Sequence, residues 1–167
     1  MMRIVAVLLL TLGASLAAAD IPVEYNPLVV EAPFSFSERV FDLTSAVDRA
    51  NRENKPLYIY LGADDCPPCK AYSAFLQKNR ELLKASFDRV IFVDIRTWLK
   101  GPALVFKIGG NRYSLAKFKA LVGDANRSLT YPYFWLLTPS LRQVKQLPLG
   151  TANYMPVDKQ IEILRLP

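Results

Sequence analysis

Both cysteines of this 167-residue chain, Cys66 and Cys69, lie in the single segment Cys-Pro-Pro-Cys. The apolar and aromatic run at 57–61 comes just before them and is typical of a short buried strand. Apolar side chains recur at roughly helical spacing after them: Tyr72, Phe75, Leu76, Leu82 and Leu83. A break in that helix is predicted around Asn79. The cysteine pair is therefore predicted to connect a strand to a helix, and this placement constrains the fold more than any other feature.

Apolar spacing predicts further helices on both sides of this unit. The segment 42–56 carries apolar residues at helical spacing, with Thr44 as the candidate N-cap and Pro56 as the residue that forbids continuation. A second helix is predicted directly after Ser114, its candidate N-cap, and a third at 157–164.

Buried strands are predicted at 89–95 and 131–137. The second is followed by a short turn and the apolar segment 143–149, a pattern that indicates an antiparallel hairpin. The stretch 98–113 fits none of these elements. The resulting order of helices and strands predicts an α/β fold with a central mixed β-sheet flanked by helices.

The first residues have the pattern of a secretory signal peptide. Arg3 is followed by an apolar run at 4–12 and then by three alanines. Even extended through the alanines, this run is shorter than the roughly 20 apolar residues of a membrane-spanning helix, which argues against the alternative of a retained anchor. We expect a signal peptide at 1–19, an extended lead-in at 20–36 and one domain at 37–167. The mature protein is expected to be periplasmic or secreted, without stable membrane insertion.

Composition excludes several classes of protein. Apolar residues make up 51% of the chain and charged residues 22%, which suits one globular domain and excludes a disordered or fibrous chain. The net charge of +6 comes from basic residues that are scattered along the chain. A nucleic-acid or membrane patch would need a dense basic cluster, so nucleic acid is not expected as a partner.

A structural role alone does not explain the cysteine pair. Disulfides persist in exported proteins, but their stabilisation grows with the length of the loop that they close. A bridge between Cys66 and Cys69 closes only a very short loop. A tetrahedral zinc site would need ligands from a second chain, whereas two sulfurs alone could hold Cu(I). Redox chemistry and Cu(I) binding both stay open at this point.

Three features together resemble the thioredoxin superfamily. They are the strand that runs into the cysteine pair at a helix start, the Tyr131-Pro132 pair at the head of a later strand, and Gly150 after the predicted hairpin. The resemblance covers about 40–164. It is closest to secreted thioredoxin-like proteins, whose lead into the first core strand is matched by Ala46, Ala50, Lys55 and Pro56. A lone Cys-x-x-Cys is a weak signal, but in this strand-to-helix context it is a strong one.

The resemblance implies a thioredoxin fold and a set of site residues. Cys66 would be the exposed nucleophile and Cys69 the buried resolving cysteine. No bound cofactor or metal would be needed, because the sulfurs carry the electrons. Pro132 would follow a cis peptide bond, and Tyr131 would offer its backbone to an extended substrate strand.

The sequence departs from the family around the cysteines. Asp65 stands in place of the usual tryptophan before the first cysteine, and Pro67 in place of the usual glycine after it. Tyr60 stands in place of the buried acid six residues before the first cysteine, so the usual proton acceptor for Cys69 is missing. Asp64 is the candidate replacement as a proton relay, with a plain solvated loop acid as the alternative. No imidazole can act as a base, because the chain has no histidine.

The charges near Cys66 favour a reductant over an oxidant. A helix N-terminus stabilises a thiolate by about 0.3–1 kcal/mol. A carboxylate about 6 Å away costs about 0.7 kcal/mol even at the dielectric constant of water, and two aspartates precede Cys66. Pro67 and Pro68 also lack the N–H groups that could face its sulfur.

We therefore expect an exported, monomeric thiol–disulfide oxidoreductase that reduces protein disulfides through Cys66 and Cys69 and is recharged by an unidentified redox partner. Two alternatives from other classes of protein remain. One is a thioredoxin-like module that binds peptides without catalysis. The other is a Cu(I)-binding protein, although exported copper carriers of this fold add a histidine that this chain lacks.

Overall fold

The computed structural model describes residues 20–165, so the predicted signal peptide at 1–19 lies outside the described residues. The strands are β1 (Leu28–Glu31), β2 (Glu38–Asp42), β3 (Leu57–Ala63), β4 (Ile91–Thr97), β5 (Ala103–Ile108), β6 (Asn111–Ser114) and β7 (Tyr133–Leu137). The helices are α1 (Thr44–Glu53), α2 (Pro67–Lys78), α3 (Arg80–Phe87), α4 (Leu115–Val122) and α5 (Val157–Leu164). Within this described range, none of the helices has the length and apolar character needed to cross a membrane.

Four strands form the main sheet, in the order β1-β4-β3-β7. The first three run parallel, and β7 is antiparallel to β3. Leu61 near the end of β3 pairs with Tyr133 at the start of β7. The antiparallel pairing therefore places the residues just before β7 at the edge of the sheet where β3 leads into the cysteines. At the opposite side of the sheet, β1 shows that part of the expected extended lead-in pairs with β4.

A second, three-stranded sheet accounts for the unassigned stretch 98–113. β2 pairs in parallel with β5, and β5 pairs in antiparallel fashion with β6. The turn between β5 and β6 contains Gly109 and Gly110, whose φ angles of 53° and 87° suit residues without a Cβ. Phe106 of β5 stacks on Phe118 of α4 with ring centroids 4.3 Å apart. The second sheet thus shares a core with the main sheet.

The central strand β3 is buried along its whole length. Tyr58 and Tyr60 face a core that includes residues of α2, α3 and α5. Ile59 and Leu61 face a different core, built with α1, α4 and the second sheet. Covering on both faces is typical of a central parallel strand. The predicted α/β fold with a central mixed sheet flanked by helices is confirmed.

Two local predictions about helices are confirmed. The helix after the cysteines breaks at Asn79, which separates α2 from α3. Ser114 caps α4, because its hydroxyl oxygen accepts a hydrogen bond from the Lys117 amide. In both places the local sequence decides the helix boundary.

Two other local predictions are wrong. Thr44 is the first residue of α1 rather than its N-cap, and its amide donates to the Asp42 carboxylate at 3.0 Å. The second strand of the predicted hairpin does not form beyond an isolated bridge between Leu137 and Gln143. The Gln143 amide donates instead to the Val122 carbonyl at the end of α4, which draws this segment away from a regular ladder.

Asp124 joins the end of α4 to β7. Its Oδ2 accepts hydrogen bonds from the Tyr133 hydroxyl at 2.7 Å and the Trp135 indole N–H at 2.9 Å. Its Oδ1 accepts from the Asn126 amide and from the Gln146 side chain. Burial alone would raise the pKa of Asp124, but the hydrogen bonds, that of Tyr133 first, bring it below its usual value. The charged carboxylate therefore stabilises the folded state.

The substitution Asp124→Asn is expected to lower the unfolding free energy by about 1–3 kcal/mol at neutral pH, because a charged acceptor of buried donors is lost. The pKa of Asp124 is lower in the folded than in the unfolded protein. Its stabilisation is therefore present above about pH 4 and is lost as the pH falls through the folded-state pKa. Urea unfolding of both proteins at neutral pH and near pH 3 measures this. A stability difference that stays the same at both pH values would contradict the assignment.

Candidate active site

Cys66 and Cys69 form a disulfide at the N-terminus of α2, with their Cα atoms 5.2 Å apart. Cys66 is the N-cap of this helix, and its Sγ accepts a hydrogen bond from the Cys69 amide at 3.2 Å. Pro67 and Pro68 fill the first two helical positions and carry no N–H. The Cys69 amide is therefore the first in the helix that can reach this sulfur.

Both cysteines are buried in the disulfide form. Cys66 is 1% exposed and Cys69 0%, so the expectation of an exposed Cys66 is wrong for this oxidised state. The physical reason is that Cys66 caps the helix with its sulfur turned toward the Cys69 amide and packs within the same core as Tyr60. Pro67 and Pro68 are exposed and form the outer surface of the motif.

The Tyr131–Pro132 peptide bond is cis, as predicted. The bond lies just before β7, at the edge of the sheet from which β3 runs into the cysteines. Pro132 is buried, whereas Tyr131 is half-buried and packs against both cores. The substrate contact assigned to Tyr131 and Pro132 stays a prediction.

The two aspartates before Cys66 have different surroundings. Asp64 is half-buried, and its amide donates to the Thr97 carbonyl at 3.0 Å. The pKa of Asp64 is raised, by burial first and then by the charge of Asp20. Asp65 is exposed, and its Oδ1 accepts a hydrogen bond from the Leu99 amide at 2.8 Å. Asp64 thus attaches the cysteine segment to the end of β4 and Asp65 attaches it to the loop that follows. The relay role of Asp64 stays a prediction.

Arg39 of β2 holds the same loop from the other side. Its Nε donates to the Pro102 carbonyl at 2.9 Å, and its Nη1 donates to the Thr97 hydroxyl and the Trp98 carbonyl, both at 2.7 Å. Through this guanidinium group the second sheet is connected to the loop that contacts the residues in front of the disulfide. This connection could not be predicted from local sequence, because it joins residues that are 58 to 63 positions apart in the chain.

Asp94, in the middle of β4, is a candidate functional residue that sequence reasoning missed. Its side chain is fully buried. Oδ2 accepts hydrogen bonds from the Arg96 guanidinium at 3.0 Å and from the Ile21 amide at 3.3 Å, whereas Oδ1 has no hydrogen-bond partner among residues 20–165. A buried carboxyl group with an unsatisfied oxygen is costly and calls for an explanation. The signal in the sequence that could have identified it was an acidic residue inside the apolar run that predicts this strand.

Burial is the main reason why the pKa of Asp94 is raised toward neutral pH. Burial raises the pKa of Asp94 to about 6, against the opposing hydrogen bond and charge of Arg96. Arg96 also contacts the carboxylates of Asp20 at 3.4 Å and Glu31 at 3.5 Å. One positive charge is therefore shared among three acids, so it compensates the burial of Asp94 only in part.

Tyr60 occupies the position where the resemblance calls for a buried acid, and Asp94 is its register partner on the neighbouring parallel strand. Register partners point to the same face of a sheet. The pKa of Tyr60 is raised by burial and then by the charges of Asp94, Asp20 and Asp64. A Cβ at position 62 would overlap the ring and hydroxyl of Tyr60, so Gly62 leaves room for that hydroxyl toward the cysteine end of β3.

Comparison with known proteins agrees with this geometry. A model of the thioredoxin-like family matches residues 38–139, more than half of the chain. The matched region runs from β2 through β7 and includes the cysteine pair, the cis peptide bond and Asp94. Among curated proteins, none matches the chain.

The substitution Asp94→Asn is expected to stabilise the protein at neutral pH. The pKa of Asp94 is about 6 in the folded protein, above its value of about 4 in an unfolded chain. The wild-type protein therefore loses stability, by about 3 kcal/mol in all, as the pH rises from about 4 through about 6, and D94N does not. Arg96 keeps Asp20 and Glu31 as partners in the variant.

Urea unfolding of wild type and D94N across this pH range tests the expectation. The stability advantage of D94N should grow as the pH rises and level off above about pH 7. A variant that is less stable than wild type by a constant amount at every pH would show that the pKa of Asp94 is not raised in the folded protein.

Proposed function

The chain belongs to the thioredoxin-like family, and we propose that it is an exported thiol–disulfide oxidoreductase that reduces protein disulfides through Cys66 and Cys69. The observation that carries the proposal is the Cys66–Cys69 disulfide at the start of α2, directly after the buried strand β3. A bridge over two residues adds little stability. Reversible opening and closing of this bridge is the use that its position favours.

The chemistry of the cycle follows from the two sulfurs. In the reduced protein the Cys66 thiolate attacks a substrate disulfide, one substrate thiolate leaves, and a mixed disulfide forms. Cys69 then attacks the Cys66 sulfur, the second substrate thiolate leaves with its electron pair, and the Cys66–Cys69 bond forms. The Cys69 amide lies 3.2 Å from the Cys66 sulfur. It is therefore placed to donate to the Cys66 thiolate when the Cys66–Cys69 disulfide is broken.

The direction of electron flow is argued from the same contacts. Strong oxidants stabilise the thiolate of their first cysteine, and so their reduced form. Here Pro67 and Pro68 take up the two helical positions before the Cys69 amide, and Asp64 and Asp65 stand on the other side of Cys66. These features work against a stabilised thiolate, which supports a reductant.

The substrates we propose are disulfides in extended or partly unfolded protein segments. Tyr131 and Pro132 lie at the cysteine edge of the sheet, where an extended chain would pair with the Tyr131 backbone. Exposed aromatic side chains, Phe34 at 84% and Trp98 at 56%, line a pocket of about 450 Å³ that also includes Asp64. Exposed apolar groups of this kind are typical of surfaces that contact other proteins. Export, a periplasmic or secreted location and a separate thiol donor belong to the same proposal.

The reduction potential of the Cys66–Cys69 pair tests the function and its direction. We expect a value near −270 mV, that of a thioredoxin-type reductant, from mass-tagged thiols counted across defined redox buffers. A value near about −120 mV would identify an oxidant and overturn the argument from the aspartates and prolines.

Two serine substitutions separate catalysis from the alternatives. C66S is expected to abolish reduction of a protein disulfide, whereas C69S should accumulate a mixed disulfide through Cys66 because the resolving thiol is gone. Mass spectrometry under non-reducing conditions detects that adduct. Unchanged peptide binding by C66S together with no turnover by wild type would favour the binding module. Stoichiometric Cu(I) uptake without turnover would favour the metal-binding protein.

A further inference from the structure

We propose that Asp94 exchanges a proton with Cys69, through the hydroxyl group of Tyr60, each time the cysteine pair is oxidised or reduced. The inference rests on the proposed function and adds a residue to it. Asp94 acts through Tyr60 and does not contact the reacting sulfurs, so it is a positioning residue for the proton.

The main sheet supplies the first part of the geometry. Tyr60 and Asp94 are paired in register on β3 and β4, and their side chains lie on the face that carries both cysteines. Because Gly62 has no side chain, the Tyr60 hydroxyl extends toward the cysteine end of β3. Tyr60 therefore lies between the carboxyl group on β4 and the helix that carries Cys69.

Helix α2 supplies the second part. Cys69, Tyr72 and Ser73 are separated by three and four residues and so share one face of the helix. The Tyr72 ring stacks on the Tyr60 ring with centroids 5.7 Å apart. Tyr60 and Cys69 belong to the same buried cluster. The helix face that presents Cys69 to the core is thus the face that packs on Tyr60.

The N-terminal segment closes the arrangement from outside. The Ser73 hydroxyl donates to the Asp20 carbonyl, and the next amide, that of Ile21, donates to Asp94. Ile21 is 1% exposed. The segment therefore covers the space between α2 and β4, and a proton that leaves Cys69 in this space has a buried acceptor and little bulk water.

The chemistry of Asp94 suits a proton acceptor. Its Oδ1 has no hydrogen-bond partner within the described part of the chain, so a lone pair is available. The charged groups that face it are Arg96, which donates to Oδ2, and the carboxylate of Asp20, while Glu31 contacts Arg96 from the far side. With a pKa of about 6, Asp94 is mostly ionised at neutral pH and still close to its protonated form.

The proposed step balances in atoms and electrons. In the mixed disulfide, the Cys69 thiol passes its proton to the Tyr60 oxygen, and the Tyr60 hydroxyl passes its own proton to the Asp94 carboxylate. The Cys69 sulfur then forms the bond to Cys66, and the substrate sulfur leaves as a thiolate with the electron pair. The two cysteines are oxidised and the substrate disulfide is reduced. Tyr60 stays neutral throughout, since it gains one proton as it loses another.

Single-turnover oxidation by the aromatic disulfide dithiobis(nitrobenzoate) isolates this step. Attack by Cys66 releases a first coloured thiolate at a rate that depends on reagent concentration. Attack by Cys69 on the mixed disulfide releases a second coloured thiolate, at a rate that does not depend on reagent concentration. For the wild-type protein, the second rate should fall below about pH 6, where Asp94 is protonated, and be nearly constant above it.

The variants D94N and Y60F should each slow the second phase by about 100-fold at neutral pH. Their rates should rise about tenfold per pH unit, because hydroxide must now remove the Cys69 proton. The double variant should be no slower than either single one, since both remove the same path. The first phase should change little. A merely structural role would alter both phases and leave the shape of the pH profile as in wild type.

The variant D64N distinguishes the two candidate acids: the inference expects the second phase to be slowed much less in D64N than in D94N. A 100-fold loss in D64N with an unchanged D94N would overturn the inference in favour of Asp64. A wild-type pH profile of the second phase in both D94N and Y60F would also overturn the inference. If D94N does not fold, Y60F alone decides, because phenylalanine keeps the ring packing of Tyr60. Failure of the wild-type protein to release the second thiolate would overturn the proposed function itself.

Discussion

The complete burial of β3 between β4 and β7 is the constraint on which the rest of the structure depends. Helices cover both faces of this strand, and its C-terminal end leads directly into the cysteines at the start of α2. Its antiparallel neighbour brings the Tyr131–Pro132 bond to the same edge, and its parallel neighbour places Asp94 beside Tyr60. Three parts of the site that are far apart in sequence are thus positioned by one strand.

The sequence allowed this strand, the helix after it and the cis bond to be predicted, because each depends on residues that are close together in the chain. The strands β1, β2, β5 and β6 were not predicted, since they are short or only partly buried and do not show a clear apolar alternation. At 143–149 the error was the opposite one, because a strand was predicted where only an isolated bridge forms. The composition of this segment suits a strand, yet a tertiary hydrogen bond from Gln143 to the end of α4 takes precedence over that local preference.

The site shows the same division. Cys66 and Cys69 were identified from their spacing, but the burial of Cys66 depends on how the helix cap is packed. Asp94 was missed because its partner is set by the register of two parallel strands, and register cannot be read along one chain segment. From the sequence alone, Tyr60 indicated that the buried acid of the family had been lost. The structure shows a carboxyl group in the same row of the sheet, one strand away.

The segment at 20–25 brings a different consequence. Asp20 contacts Arg96, Ile21 contacts Asp94, and the Tyr25 hydroxyl donates to the Leu76 carbonyl on α2 at 2.8 Å. These few residues cover the buried polar groups around Asp94 and separate them from the solvent. Recombinant versions that begin after this segment would still contain the residues of β1–β7, of α1–α5 and both cysteines, yet they would open the buried carboxyl group to water. In this protein, the choice of first residue therefore changes the electrostatics of the core as well as the length of a tail.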